Sequence, residues 1–327
     1  MTNIQRTVFR NTGKTTGWSE KEGMTLRIRI GNQTAFCASR IEQPFDYAVE
    51  NGFDAFEWFP DKKESGPGWS EADLDKAMRA LIQETALKHD IRLSVHPPWW
   101  ANPLNPESIV AFSRSIELAH DIGASLLNIH LFLEQGIDSF VKAIIPLVDR
   151  LEALNIRLAI ENTPLTGPGD FNRLFSELQK VEPAAFEHIG MCLDLGHANL
   201  FPATRNDYLR FVDLIDPSVP IIHIHLHENY GDHDSHLTLF TGPAGRDASG
   251  IEGLLQRLNR RDFSGCIIFE QWPHPPDLLI EARNRLLTMI GCKRGVEMAN
   301  HRMAQKPGNL GDNRAVKGDS SSPVPQK

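Results

Sequence analysis

Apolar residues return along the chain in short bursts at a steady pitch. The bursts begin near Leu26 (LRIRI), Phe53 (FDAFEWF), Arg92 (RLSVH), Leu126 (LLNIH), Arg157 (RLAIE), Ile189 (IGMCLD), Pro220 (PIIHIHLH) and Gly265 (GCIIFEQW). Their successive offsets are 27, 39, 34, 31, 32, 31 and 45 residues, close to the roughly 30 that one β–loop–α–loop unit needs. Several bursts are apolar on both faces, as strands are when helices cover one side and a closed interior the other.

The segments between them read as amphipathic helices. Ile137, Phe140, Val141, Ile144, Ile145, Val148 and Leu151 form one stripe at the 3.6-residue period. Asn105 is placed to cap a helix, Pro106 suits its first position, and Gly123 follows its end. Ser70 to Asp73 resembles a capping box with Asp in place of Glu or Gln. Eight strands and their helices, the last predicted from Pro276 to Ile290, make a single α/β (β/α)8 TIM barrel the expected fold. A doubly wound open sheet is the alternative, but no GxGxxG follows the first strand.

The chain has 327 residues, and such a barrel takes about 250. Residues 25–294 are therefore assigned to the barrel, 1–24 to a polar N-terminal arm, and 295–327 to a tail. That tail is poor in large apolar residues and ends rich in Ser and Pro, so it is expected to be disordered. Lys and Arg number 34 against 42 Asp and Glu, a formal charge of −8, which argues against a non-specific nucleic-acid binder. No apolar run reaches the ~18 residues of a membrane span, and the first 25 residues carry no apolar signal-peptide core. The expectation is a soluble, cytoplasmic protein without a membrane partner. Cys37, Cys192, Cys266 and Cys292 form no CxxC and read as small core residues.

The chemistry lies where the strands end, because barrels of this type work at the C-terminal ends of their strands. Those ends carry His96, His130, Glu161, Asp194, His197, His225 and Glu270, and the loop after the seventh strand adds Asp234 and His236. One such residue is ordinarily structural. Nine on one rim would cost several kcal/mol in desolvation unless cations compensate them. A divalent metal does so, and a sulfur-free set of imidazoles and carboxylates suits Zn²⁺, Mn²⁺, Fe²⁺ or Co²⁺.

The order H…H…EN…DxGH…HxHxxEN…DxH…E resembles the xylose isomerase-like TIM-barrel superfamily over roughly Leu26 to Ile290. That superfamily includes sugar and sugar-phosphate isomerases and epimerases and the AP-endonuclease family 2, or endonuclease IV-like, enzymes. By resemblance to the endonucleases all nine residues would be metal ligands in a trinuclear cluster, with Glu161 bridging. By resemblance to the epimerases one metal would suffice, held by Glu161, Asp194, His225 and Glu270. The cofactor is thus one to three divalent ions, Zn or Mn first. His223, His225 and His227 alternate and share a side of their strand; motif register selects His225, with His227 as the alternative and His223 deeper.

Two enzymes and one binding protein compete. In an isomerase or epimerase, Glu161 and Glu270 would be the catalytic base and acid, and His197 would contact a sugar or sugar phosphate. In a phosphodiesterase the cluster would cleave abasic-site DNA or a smaller diester. Asp234 and His236 favour the second. The longer LTLFTGPAG loop and the lack of recognisable DNA-inserting loops oppose it, and Lys62 and Lys63 read as solvated surface. A non-catalytic metal-holding barrel is the third. Trp99, Trp100 and Trp272 are candidates to stack on a substrate or simply to close the rim, and Arg246 to bind an anionic group. The sugar enzyme is the expectation.

Overall fold

The computed structural model describes residues 28–291, apart from 36, 61 and 63–65. The arm expected over 1–24 and the tail expected over 295–327 lie outside the described residues, as do Lys63 and Cys292. Eight strands run β1 (Arg29–Gln33), β2 (Ala55–Trp58), β3 (Arg92–Val95), β4 (Leu126–His130), β5 (Arg157–Glu161), β6 (Ile189–Asp194), β7 (Ile221–Leu226) and β8 (Cys266–Phe269). Each pairs in parallel with the next, and β1 closes on β8 with Ile30 opposite Ile267. An open sheet would leave β1 with a free edge. The fold is a (β/α)8 barrel.

Among the described residues, ten α-helices surround it. They are α1 (Gln43–Asn51), α2 (Lys76–His89), α3 (Ile109–Ile122), α4 (Ile137–Glu152), α5 (Pro168–Val181), α6 (Leu195–Leu200), α7 (Tyr208–Asp213), α8 (Pro243–Arg246), α9 (Ser249–Arg260) and α10 (Asp277–Met289). The α4 stripe faces the barrel as its period requires: six of its seven positions are buried and Ile145 is half-buried. Gly123 ends α3 at φ 71°, a left-handed conformation that costs glycine little. The Ser70–Asp73 box forms, with Ser70 N–H donating to Asp73 Oδ2 at 2.8 Å. It opens only a 3₁₀ turn, and α2 starts later under Asp75, whose side chain accepts from Met78 N–H at 2.8 Å.

The barrel interior changes character from bottom to top. Positions two apart on a strand share a face. The inward series therefore run Ala55–Glu57, Leu126–Asn128–His130, Ala159–Glu161, Cys192–Asp194 and Cys266–Ile268–Glu270. Apolar residues fill the lower layers in two clusters, Leu126, Ala159, Cys192 and Ile222 in one and Ala55, Cys266 and Ile268 in the other, and charged or imidazole side chains follow at the upper rim. The main apolar core lies between strands and helices.

β1 runs from Arg29 among the described residues, Leu26 lying outside them, and its upper half is the buried polar pair Asn32 and Gln33, which an apolar pattern does not count. Two expectations need correction. The segment after β6 holds two short helices in place of one. Cys37 is exposed on the loop after β1 instead of belonging to the core, while Cys192 and Cys266 are buried as expected.

Candidate metal centre

Four imidazoles surround the Glu161 carboxylate at the end of β5, one of them His197, whose Nδ1 lies 3.4 Å from Oε1. His96 Nε2 lies 3.3 Å from Oε2, His130 Nε2 3.4 Å from Oε1, and His225 Nδ1 3.2 Å from Oε2. The ring nitrogens facing away have partners of their own. His96 Nδ1 meets the Pro97 carbonyl, His130 Nδ1 the Trp99 carbonyl at 3.1 Å, and His225 Nε2 the Glu57 carboxylate at 2.8 Å. Such outer contacts fix the tautomer and turn the inner lone pair toward a ligand.

His225 Nδ1 also stands 2.9 Å from Glu270 Oε1 and 4.0 Å from Asp194 Oδ2. Glu161, Asp194, His225 and Glu270 thus converge, from four strands, around one point. Beyond Asp194 a second assembly forms at the start of α6 and on the loop after β7. His197 Nε2 lies 3.2 Å and His236 Nε2 3.1 Å from Asp234 Oδ2. Asp194 joins the two, because its Oδ1 accepts the His197 N–H at 2.7 Å as the N-cap of α6.

The buried carboxylates and imidazoles hold one another in their charged forms. Burial alone would raise the Glu161 carboxyl, but His225 and His130 outweigh it and hold it well below the usual carboxylate range. Glu57 is likewise held low against its burial by His225 and His223. Burial would lower His236, yet Asp234 and Glu270 raise it to about 9. Without an ion, protons on the imidazoles compensate the carboxylates.

The donor atoms fit a divalent metal better than they fit each other. Nδ1 of His225 and Oε2 of Glu270 are buried and lack any hydrogen-bond partner, although oppositely charged groups stand within 4 Å. Buried polar atoms left so cost free energy unless an ion takes them. Five groups of three or four metal-ligating side chains have donor atoms within 4.8 Å of one another; eight of the nine predicted ligands fall in the four groups without sulfur, whereas His225 enters only with Cys192 and His223.

The other predicted residues take varied positions. Trp99 and Trp100 stand exposed at the rim at 59 % and 50 %, whereas Trp272 is buried edge-on against Tyr47, their ring centres 5.4 Å apart. Arg246 is exposed on α8. One cleft of about 470 Å³ reaches His236, Glu270 and Trp272 from the β1 side, past Gln33 and Phe59. Another, of about 490 Å³, reaches His130 and His197 past Trp99, Phe132, Leu133 and Leu165. Arg246 lines neither of them, and among their described lining residues there is no Lys or Arg.

Sequence reasoning missed Glu57, Asn128 and the part played by His227. Glu57 binds His223 Nε2 at 3.0 Å and Ser94 Oγ at 2.8 Å as well as His225. Asn128 donates to Glu161 Oε2. Both were signalled by a single polar residue inside an otherwise apolar strand, FEW and LLNIH.

The chain is thus a closed parallel TIM barrel whose upper rim gathers imidazoles and carboxylates in groups that could hold a metal ion. The chain matches the xylose isomerase-like TIM barrel family over residues 45–289, and it belongs to that family. An uncharacterized Methanocaldococcus jannaschii protein, MJ1311, is 23 % identical over 312 residues, covering 88 % of this chain and 96 % of its own. Among solved structures, a D-tagatose 3-epimerase-like protein superposes with a TM-score of 0.61 at 19 % identity, over 84 % of this chain and 99 % of its own. Endonuclease IV from Thermus thermophilus does so with 0.58 at 17 %, over 80 % and 99 %. At these identities the structural likeness speaks for the fold.

Proposed function

We propose that the protein is a metal-dependent isomerase or epimerase of a small, uncharged polyhydroxy carbonyl compound. The observation that carries this reading is the pair of glutamates facing one point from β5 and from just beyond β8. Glu161 Oε2 and Glu270 Oε1 lie 3.2 and 2.9 Å from the same atom, His225 Nδ1. Glu161, kept ionised by its imidazoles, takes the proton from a carbon bonded to two oxygen-bearing neighbours, and Glu270 delivers one from the other side. A divalent ion, Zn or Mn, held by Glu161, Asp194, His225 and Glu270 would supply the charge that acidifies that C–H bond.

The clefts support an uncharged substrate over a sugar phosphate or DNA. Phosphate oxygens are ordinarily met by Arg, Lys or helix N-termini, and no Arg or Lys lines either of these two approaches among the described residues; Lys62 and Arg114 line only the neighbouring hollow beneath Trp99 and Trp100. The exposed rings of Trp99 and Trp100 suit stacking on a sugar face. No described helix is long and apolar enough to cross a membrane, and the unpaired Cys37, Cys192 and Cys266 fit a cytoplasmic setting.

The phosphodiesterase reading has one specific observation in its favour, the second assembly of His197, Asp234 and His236. A single experiment separates the two. The metal-loaded protein is incubated with a panel of ketoses and aldoses in D₂O, and exchange at the carbon beside the carbonyl is followed by NMR. Exchange that falls about 10²–10⁴-fold in Glu161→Gln and in Glu270→Gln supports the isomerase. No exchange on any sugar, with cleavage of abasic-site DNA or a simple diester, replaces it with the hydrolase.

A further inference from the structure

The seventh strand brings one more imidazole to the centre than the nine-residue set requires. His227 is 1 % exposed, and its Nε2 lies 3.2 Å from Asp194 Oδ1, 3.5 Å from Glu270 Oε2 and 3.8 Å from Asp234 Oδ1. With His197, Asp234 and His236 it forms a group whose donor atoms all fall within 4.8 Å of one another. We propose that His227 is the fourth protein ligand of an ion held by His197, Asp234 and His236, so that the chain itself closes this position to substrate.

The chemistry of the donors points that way. Three nitrogens and one carboxylate oxygen without sulfur make a four-coordinate set suited to Zn²⁺ or Co²⁺. Metal positions that do chemistry keep three protein ligands and an open place, whereas four protein ligands make a structural site. His197, Asp234 and His236 alone would be of the first kind. His227 converts them to the second.

The surroundings are shaped to hold His227 there. Its ring lies parallel to that of His236, with centres 4.0 Å apart and planes 4° from parallel. This face-to-face packing fixes both side chains beside Asp234. His236 reaches this position from a left-handed backbone, φ 44°, which is strained for a residue with a side chain. On the other side the ring rests on Gly196, where an added Cβ would stand 1.9 Å from His227 Cε1. Oε2 of Glu270, buried and without a hydrogen-bond partner, faces the same Nε2.

The assignment holds whichever reaction the neighbouring Glu161 group performs. Cobalt(II) tests it, because tetrahedral cobalt absorbs visible light far more strongly than five- or six-coordinate cobalt. The full chain, stripped of metal and reloaded with cobalt, is expected to show the intense band. His227→Ala, in which water can take the vacated position, should shift that band and bind one ion more weakly by about tenfold or more, since losing even an outer partner of a ligand costs about 10–100-fold. Added imidazole should restore the band. His227→Gln fills the space with a neutral amide and serves where the alanine variant does not fold; the same results decide. A band and affinity equal to wild type in the His227 variant overturn the proposal. So does loss of a further ion on combining His227→Ala with Asp234→Ala, for His227 would then serve a different group.

Discussion

Glu57 has no place in the nine-residue ligand set, yet it touches both histidines of β7 and is completely buried. Glutamine in its place keeps the shape but cannot accept from both His223 and His225, so one imidazole loses its orienting partner. Glu57→Gln is expected to weaken metal binding about 10–100-fold while the protein stays folded. Competition with a chromophoric chelator measures it, and unchanged affinity would contradict the orienting role. Trp99 stands at the other extreme. Its exposure of 59 % means that Trp99→Ala should leave stability within about 0.5 kcal/mol. The substrate KM should rise if the indole stacks on a sugar, and a KM equal to wild type would make it mere rim. At this scale the sequence shows which residue types stand at strand ends. It does not show which of two nitrogens on an imidazole faces in, because that depends on partners such as the Pro97 and Trp99 carbonyls.

Among the elements, β6 and α6 are inseparable. Asp194 ends the strand, caps the helix through the His197 N–H, and turns its other oxygen toward His227 at 3.2 Å. The cap needs only an oxygen, whereas the metal needs a charge. Asp194→Asn should therefore keep the cap and lose metal affinity, while Asp194→Ala should lose both, with the cap adding about 1 kcal/mol of destabilisation. Chemical unfolding of the metal-free variants separates the two terms; equal stability of Asn and Ala would show that the cap contributes nothing. The strands and long helices were legible in the sequence because one face of each is buried at a fixed period, as along α4. α6 and α7 were not. Six residues each carry too little period to read, and it is the Asp194 cap and the packing beneath that stabilise α6.

For the molecule as a whole, the charge balance at the rim makes stability depend on pH in opposite ways with and without metal. Glu57, Glu161 and Asp194 are held below their ordinary values, so their contribution is present above about pH 4.5 and lost as pH falls through their folded values. His197, His225 and His236 are raised, so theirs is complete below about pH 6.5 and lost as pH rises, for His236 through about 9. The chelated protein should be most stable between about pH 5 and 6.5 and weaken toward pH 9. Loaded with metal it should instead gain stability over that upper range, because imidazoles must shed protons to bind. Thermal melts with and without EDTA would show the two slopes, and parallel slopes would contradict the balance described. The barrel itself was readable from pitch alone. Its closure, with Ile30 beside Ile267, joins the two ends of the described chain and could only be inferred from the count of units.

That closure also sets a timetable. The first ligand, His96, leaves the ribosome long before the last, Glu270, and β8 must reach β1 before Glu270 can face Glu161. A nascent chain halted after β7 would hold every donor of the His96, His130 and Glu161 group but not the one that Glu270 completes. Any ion that needs Glu270 would be held only once β8 has met β1, as a seal on a barrel already shut rather than a seed around which it folds.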